Sequence, residues 1–258
     1  DARPYPFFPS NAEMMSLHGN YPKGHWLSGR GSGRSLASVV TEICRLGGVR
    51  DIETSQLFGY VRGYVVADVS DARSALQPLM LRYGFDAIER DGVLVFRTRN
   101  GKANWTLSAD AFALTDELSG TVEATRAGES DLAGRVRLRF VQADGDYDTV
   151  AEEAVLPDEA THAVSSSEVP LVMTRGEGRQ VVERWLTEAR IARDSVKFAL
   201  PPSALNVGAG DVLSIEDGGT KGLFRVDRAE IGTSQLIEAV RIDTESYRPV
   251  DMEEDKAT

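Results

Sequence analysis

The chain has 258 residues and a mass of 28.1 kDa, with 29 basic and 40 acidic side chains for a formal charge of -11, and a single cysteine. That length can form one large domain or two modest ones with cores of their own, whereas a lone Cys44 excludes a disulfide framework and a thiolate zinc site. No run approaches the roughly 18 apolar residues of a membrane-spanning helix, and a pI near 4.9 does not suit a protein that grips nucleic-acid phosphates, which takes clustered Lys and Arg.

The opening Asp1-Ala2-Arg3-Pro4-Tyr5-Pro6-Phe7-Phe8-Pro9 is a stiff Pro/aromatic run, so residues 1–33 read as a connector and loop. Residues 251–258 read as a charged, exposed linker. Both ends suggest a segment of a longer polypeptide. Between them, Ser28-Gly29-Arg30-Gly31-Ser32-Gly33-Arg34-Ser35 comes close to a phosphate-binding loop. It has Ser28 where the first Gly belongs and Arg34 where the Lys belongs, and no core strand precedes it. The run therefore reads as a flexible loop entering a helix.

From Ser35 to Leu46, Leu36, Val39, Val40, Ile43 and Leu46 recur at helical spacing, with Ser32 or Ser35 as cap and Gly47-Gly48 as stop. Tyr60 to Val66 reads as a strand. Ser70-Asp71 caps a second helix that ends at Gly84. Phe85 to Arg90 and Val93 to Arg99 flank Asp91-Gly92, the favoured two-residue hairpin turn, which sets Asp86 opposite Arg97. This predicts an α+β module over residues 34–100.

The remainder, residues 101–250, reads as a β-barrel-like module with one helix. Strands are predicted over Ala103 to Leu107, Ser119 to Thr125, Arg135 to Val141, Ser195 to Leu200, Asp211 to Ile215, Leu223 to Ile231 and Gln235 to Ile242. The helix is predicted over Gly178 to Asp194, with Val181, Val182, Trp185, Leu186 and Ala189 on one face.

No reaction chemistry stands out, and no catalytic, cofactor-binding or metal-ligating residue and no cofactor is assigned. Asp144-Gly145-Asp146-Tyr147-Asp148 has the spacing that begins a calcium loop, but Thr149 and Val155 stand where Gly and a bidentate Glu are needed. It reads as an acidic hairpin turn with Tyr147 turned back onto the sheet. His18, His25 and His162 lack the short regular spacing of metal ligands. Cys44, beside an apolar helical stripe, reads as a buried structural thiol. Arg135, Arg137 and Arg139 alternate with Val136, Leu138 and Phe140, putting three cations on one strand face. They either meet acids on adjacent strands or form a subunit interface or charged channel wall.

Three phrases resemble the tail-tip hub proteins of gene transfer agents and related siphophages. The first is Gly24-His25-Trp26-Leu27-Ser28-Gly29-Arg30 after the connector, in which His25 and Trp26 join the three arginines as candidate interface residues. The second runs from Gly63-Tyr64-Val65-Val66 through Ala72 to Leu79, Tyr83 to Ala87 and Asp91 to Arg97. The third runs from Ala189-Arg190 through Val196 to Pro202, Gly210 to Leu213 and Phe224 to Arg228. The resemblance implies a structural, non-enzymatic hub segment. Such hubs assemble as trimers, join the tail tube and distal tail proteins to cell-facing tail-tip domains, and enclose the path of DNA without binding it specifically. The alternative is a carbohydrate- or peptidoglycan-binding module using Tyr5, Phe7, Phe8, Tyr21 and Trp26 as stacking platforms.

Overall fold

The structure, a computed structural model, describes residues 24–25, 30–66, 71–128, 134–143, 147–156, 163–217 and 220–247. It is α+β, with three α-helices and fifteen strands among the described residues. The chain divides into two compact units. The first comprises Asp1–Thr98, Leu138–Glu152 and Ser167–Gly178, and the second comprises Arg99–Arg137, Glu153–Ser166 and Arg179–Thr258.

In the first unit, α1 (Leu36–Leu46) is capped by Ser35, whose Oγ accepts from the Ser38 amide, and it buries Leu36, Val39, Val40, Ile43 and Cys44. The helix α2 (Ala72–Tyr83) is capped by Asp71, whose carboxylate accepts from the Arg73 amide. It ends at Gly84 in the left-handed conformation that a residue without Cβ adopts freely. Both boundaries agree with the sequence pattern. The hairpin of β5 (Phe85–Arg90) and β6 (Val93–Thr98) also forms as predicted, with positive φ at Asp91 and Gly92 and Asp86 opposite Arg97. β3 (Ile52–Gln56) adds to it in parallel beside β6. Phe85 and Phe96 meet edge to face at 6.1 Å in the core beneath.

A six-stranded sheet completes this unit. Its order is β1 (Gly24–His25), β2 (Arg30–Ser35), β4 (Tyr60–Val65), β11 (Val164–Met173), β9 (Arg135–Gln142), β10 (Thr149–Val155), the last three strands running on into the second unit. Two tyrosines tie β4 to α2. The Tyr64 hydroxyl donates to the Ala75 carbonyl at 2.5 Å, and the Tyr83 hydroxyl donates to the Tyr60 carbonyl at 2.8 Å. Burial pushes both phenols up to about 12, so they remain donors throughout the physiological range.

Several expectations are corrected here. Arg30 to Ser35 is not a loop but a strand, pairing Arg30 with Val65, Gly31 with Tyr64 and Ser35 with Tyr60. Ladder pairing commits that backbone, which leaves no open cradle of amides for phosphate. The third helix, α3, spans Arg175–Ile191 instead of Gly178 to Asp194, and Asp194 opens the following strand. Its true start is a reciprocal cap: the Thr174 hydroxyl accepts from the Glu177 amide, and the Glu177 carboxylate accepts from the Thr174 amide.

The second unit is built on a sheet ordered β7 (Trp105–Ser108), β13 (Val212–Asp217), β14 (Thr220–Ile231), β15 (Gln235–Ile242), β12 (Asp194–Leu200), β8 (Val122–Arg126). All pairings are antiparallel except that of β7 with β13. Alternate residues turn inward, among them Val196, Phe198 and Leu200, Leu213 and Ile215, Phe224 and Val226, and Ile237 and Ala239. Leu107 on one outer strand belongs to this cluster and Val122 on the other packs against it, so one core runs beneath the whole sheet.

Candidate interaction surfaces

β9 sends Val136, Leu138 and Phe140 into the core and leaves Arg135, Arg137 and Arg139 half-exposed on the other face. Arg135 and Arg137 lie 3.6 and 3.3 Å from Glu153 of β10, and Arg139 lies 3.4 Å from Glu168 of β11. Two carboxylates on neighbouring strands thus stand against the three cations, with Arg135 and Arg137 sharing Glu153. Exposed pairs of this kind contribute about 0–1 kcal/mol each. Arg137→Ala is therefore expected to change the free energy of unfolding in a urea titration by under ~1 kcal/mol. A larger loss would mean that the strand depends on this arginine.

A tighter charge cluster, absent from the sequence reading, surrounds Glu177 in the first unit. Its carboxylate lies 3.0 Å from Arg82 of α2 and 3.4 Å from Arg62 of β4, and it also caps α3. Burial pushes its pKa up, but the Thr174 amide and the Arg82 and Arg62 guanidinium groups outweigh burial and hold it below the usual carboxylate value. A carboxyl with a depressed folded pKa contributes stability that is present above its unfolded pKa of about 4.3 and is lost as pH falls through the folded value. Glu177→Gln should cost about 2 kcal/mol at neutral pH. The gap between wild type and variant should narrow as the pH falls below the unfolded value. A pH-independent gap in thermal or urea melts would contradict the charge assignment.

The other candidates separate. Cys44 is buried and burial pushes its thiol up, in keeping with a structural role. Asp144 and Asp146 lie outside the described residues. Tyr147 does not turn back onto the sheet: it is 67% exposed with φ +59°. The backbone of His25 lies in β1, paired with Arg30, while its side chain and Trp26, Tyr5, Phe7, Phe8, Tyr21, His18 and His162 lie outside the described residues. Among the described residues no group of three or more His, Cys, Asp or Glu could hold a metal ion, and no helix is long and apolar enough to cross a membrane.

The second unit carries a cleft of about 230 Å³ between Trp185, Glu188 and Ala189 of α3, with Ala192 just past its end, and Arg225 and Arg241 on the sheet. Small residues at 189 and 192 make the room. Its cations already have carboxylate partners: Arg99 with Glu188 at 3.1 Å, Arg225 with Asp227 at 3.1 Å and Arg241 with Asp194 at 3.3 Å. The arginine charges there are met by carboxylates within the fold. The sequence reading also missed a set of exposed aliphatic side chains in this unit, Leu114, Leu205 and Ile231. Exposure of a single aliphatic leaves no signature in sequence.

Comparison with known proteins agrees with this architecture. The family described as "Putative phage tail protein" (Phage-tail_3) matches residues 71–229. A chain in the structure described as the virion of a native gene transfer agent (GTA) particle is 47% identical, with a TM-score of 0.82. The match covers 92% of this chain and 54% of that one, so the present chain spans about half the length of its relative. Two crystal structures share the fold alone. The 43 kDa tail protein of prophage MuSo2 from Shewanella oneidensis matches at 10% identity and TM-score 0.56 over 87% of this chain and 67% of that one. The tail protein from Neisseria meningitidis MC58 matches at 11% identity and TM-score 0.56 over 81% and 68%. No curated protein matches the sequence. With well over half of its residues inside the family match and a 47% identical relative along nearly its whole length, the chain belongs to the Phage-tail_3 family of phage tail proteins.

Proposed function

We propose that the chain is a structural segment of the tail-tip hub of a phage-like gene transfer agent particle. In this reading three copies surround the tail axis, join the tail tube and distal tail proteins to cell-facing parts, and enclose the path of ejected DNA. Its role is mechanical and not enzymatic. The observation that carries the reading is the 47% identity and 0.82 TM-score over 92% of the chain to a component of a GTA virion.

The electrostatics are compatible with it. A formal charge of -11 repels phosphate and lets DNA pass without being trapped, and Glu153 and Glu168 offset two of the three arginine charges of β9. Gold particles directed to an affinity tag on this chain should decorate tail tips in electron micrographs. Label found on the head or along the tail shaft would refute the assignment.

A further inference from the structure

Two buried polar atoms of the second unit, Glu188 Oε1 and Ser246 Oγ, have no hydrogen-bond partner among the described residues. Both residues line the cleft of about 230 Å³ between α3 and the strands β14 and β15. The other Glu188 oxygen accepts from Arg99 at 3.1 Å, whereas Oε1 lies 3.8 Å from Arg184 Nε, beyond hydrogen-bond reach. Ser246 sits on a braced turn after β15. The Asp243 carboxylate accepts from the Glu245 amide at 3.0 Å, the Asp243 carbonyl accepts from the Ser246 amide at 3.2 Å, and the Thr244 hydroxyl donates to the Gly101 carbonyl at 3.2 Å. The Tyr247 ring closes on Gly101, where an added Cβ would come within 3.0 Å of it. Leaving a buried acceptor and a buried hydroxyl unpaired is costly, and two in one cleft call for a ligand that pairs with both.

We propose that this cleft binds one ring of a neutral saccharide, with Glu188, Ser246, Trp185 and Tyr247 as its contacts. Charge sets the first limit. Each arginine of the cleft has its own carboxylate, Glu188 for Arg99, Asp227 for Arg225 and Asp194 for Arg241. An anion such as phosphate would have to displace one of these carboxylates, and a cation would meet three guanidinium groups. An amino-acid zwitterion, although neutral, would have to part Arg99 from Glu188. A hydroxyl group requires none of this: it donates to Glu188 Oε1, which can only accept, and pairs with Ser246 Oγ in either sense while the ion pairs stay closed. The rings of Trp185 and Tyr247 supply surface for the C–H face of a sugar, and Val240 and Ile242 line the apolar remainder. The volume lies below the about 300–1,000 Å³ of pockets for drug-sized ligands, which limits the occupant to a single ring.

Saturation-transfer NMR on the purified chain, with a panel of neutral hexoses and N-acetylhexosamines, tests this. At least one sugar should show saturable transfer, with half-saturation in the millimolar range that suits so small a ligand. Ala192→Leu fills the cleft and should abolish the transfer. Ser246→Ala should weaken binding about three- to tenfold, the loss of one hydrogen bond, and should not lower the melting midpoint, because the hydroxyl has no partner in the fold to lose. Should Ala192→Leu melt early, Ser246→Ala decides alone. A cleft that no sugar saturates, sugar binding that both variants leave unchanged, or variant-sensitive binding of inorganic phosphate or glycine in place of sugar overturns the inference. The site does not rest on the hub reading, and the two fail separately. Tip-labelled particles with a cleft that takes no sugar leave the hub standing, and sugar binding with label away from the tip leaves the site standing without the hub.

Discussion

Phe198→Ala is expected to lower stability by about 3–5 kcal/mol, the cost of emptying a fully buried aromatic site in a core that cannot collapse to fill it. Phe198 lies on β12 between β15 and β8, with no exposed surface, and its ring meets Phe112 edge-on at 5.2 Å. Ile237 and Val122 stand opposite it on the neighbouring strands, and the core cluster it belongs to extends to Leu213 and Phe224 further across the sheet. A void here therefore removes contacts from several strands together. For a chain of this size the loss corresponds to a fall in melting midpoint of roughly 6–20 °C. Phe198→Leu keeps most of the volume and should cost under about 1.5 kcal/mol. Equal losses for the two variants would show that ring volume is not what the core requires.

Gly178→Ala should also destabilise, although helix propensity predicts the reverse. In the interior of a helix, alanine is favoured over glycine by about 1 kcal/mol. At this position an added Cβ would overlap the ring of Phe140, which is buried on β9 and cannot swing aside, and would crowd the Glu152 side chain at 3.3 Å. Overpacking of this kind costs about 1–3 kcal/mol or more, so the clash outweighs the propensity gain. The mechanism has a signature of its own. In a Phe140→Leu background the same alanine should be tolerated better, giving a favourable coupling between the two sites in a double-mutant cycle. Independent effects would place the cost of alanine elsewhere.

These two positions illustrate what could be read from the sequence. The core of the second unit's sheet was legible because Ser195 to Leu200 and Gln235 to Ile242 carry apolar alternation. The α1 and α2 boundaries were legible because Ser35, Asp71 and Gly84 are chemical caps. The start of α3 was not, because Gly176 and Gly178 look like helix breakers and obscured the Thr174-Arg175-Gly176-Glu177 capping pattern. Gly178 is a packing requirement set by Phe140, which is 38 positions away and invisible to local pattern.

Five strands escaped, among them the two-residue Gly24–His25, and the other four for a related reason. Arg30–Ser35 and Ile52–Gln56 are polar, Thr149–Val155 has Glu152 and Glu153 at its centre, and Val164–Met173 contains a serine run and Pro170. Their pairing is specified by the backbone of the strand alongside and not by their own composition. The arginine alternation of β9 was legible, and so was the choice between acids and an interface as its purpose. The acids, Glu153 and Glu168, lie on two of the strands that local reading passed over.

The family assignment puts the chain among phage tail proteins, and its proposed role in the tail-tip hub is one of contact with other chains. A reconstruction of the particle's tail tip at a resolution that resolves strands tests this most directly. It should place this fold in three copies around the tail axis, enclosing the channel below the tail tube. Density for the chain away from the axis, or in a single copy on the outside of the tail, would contradict it.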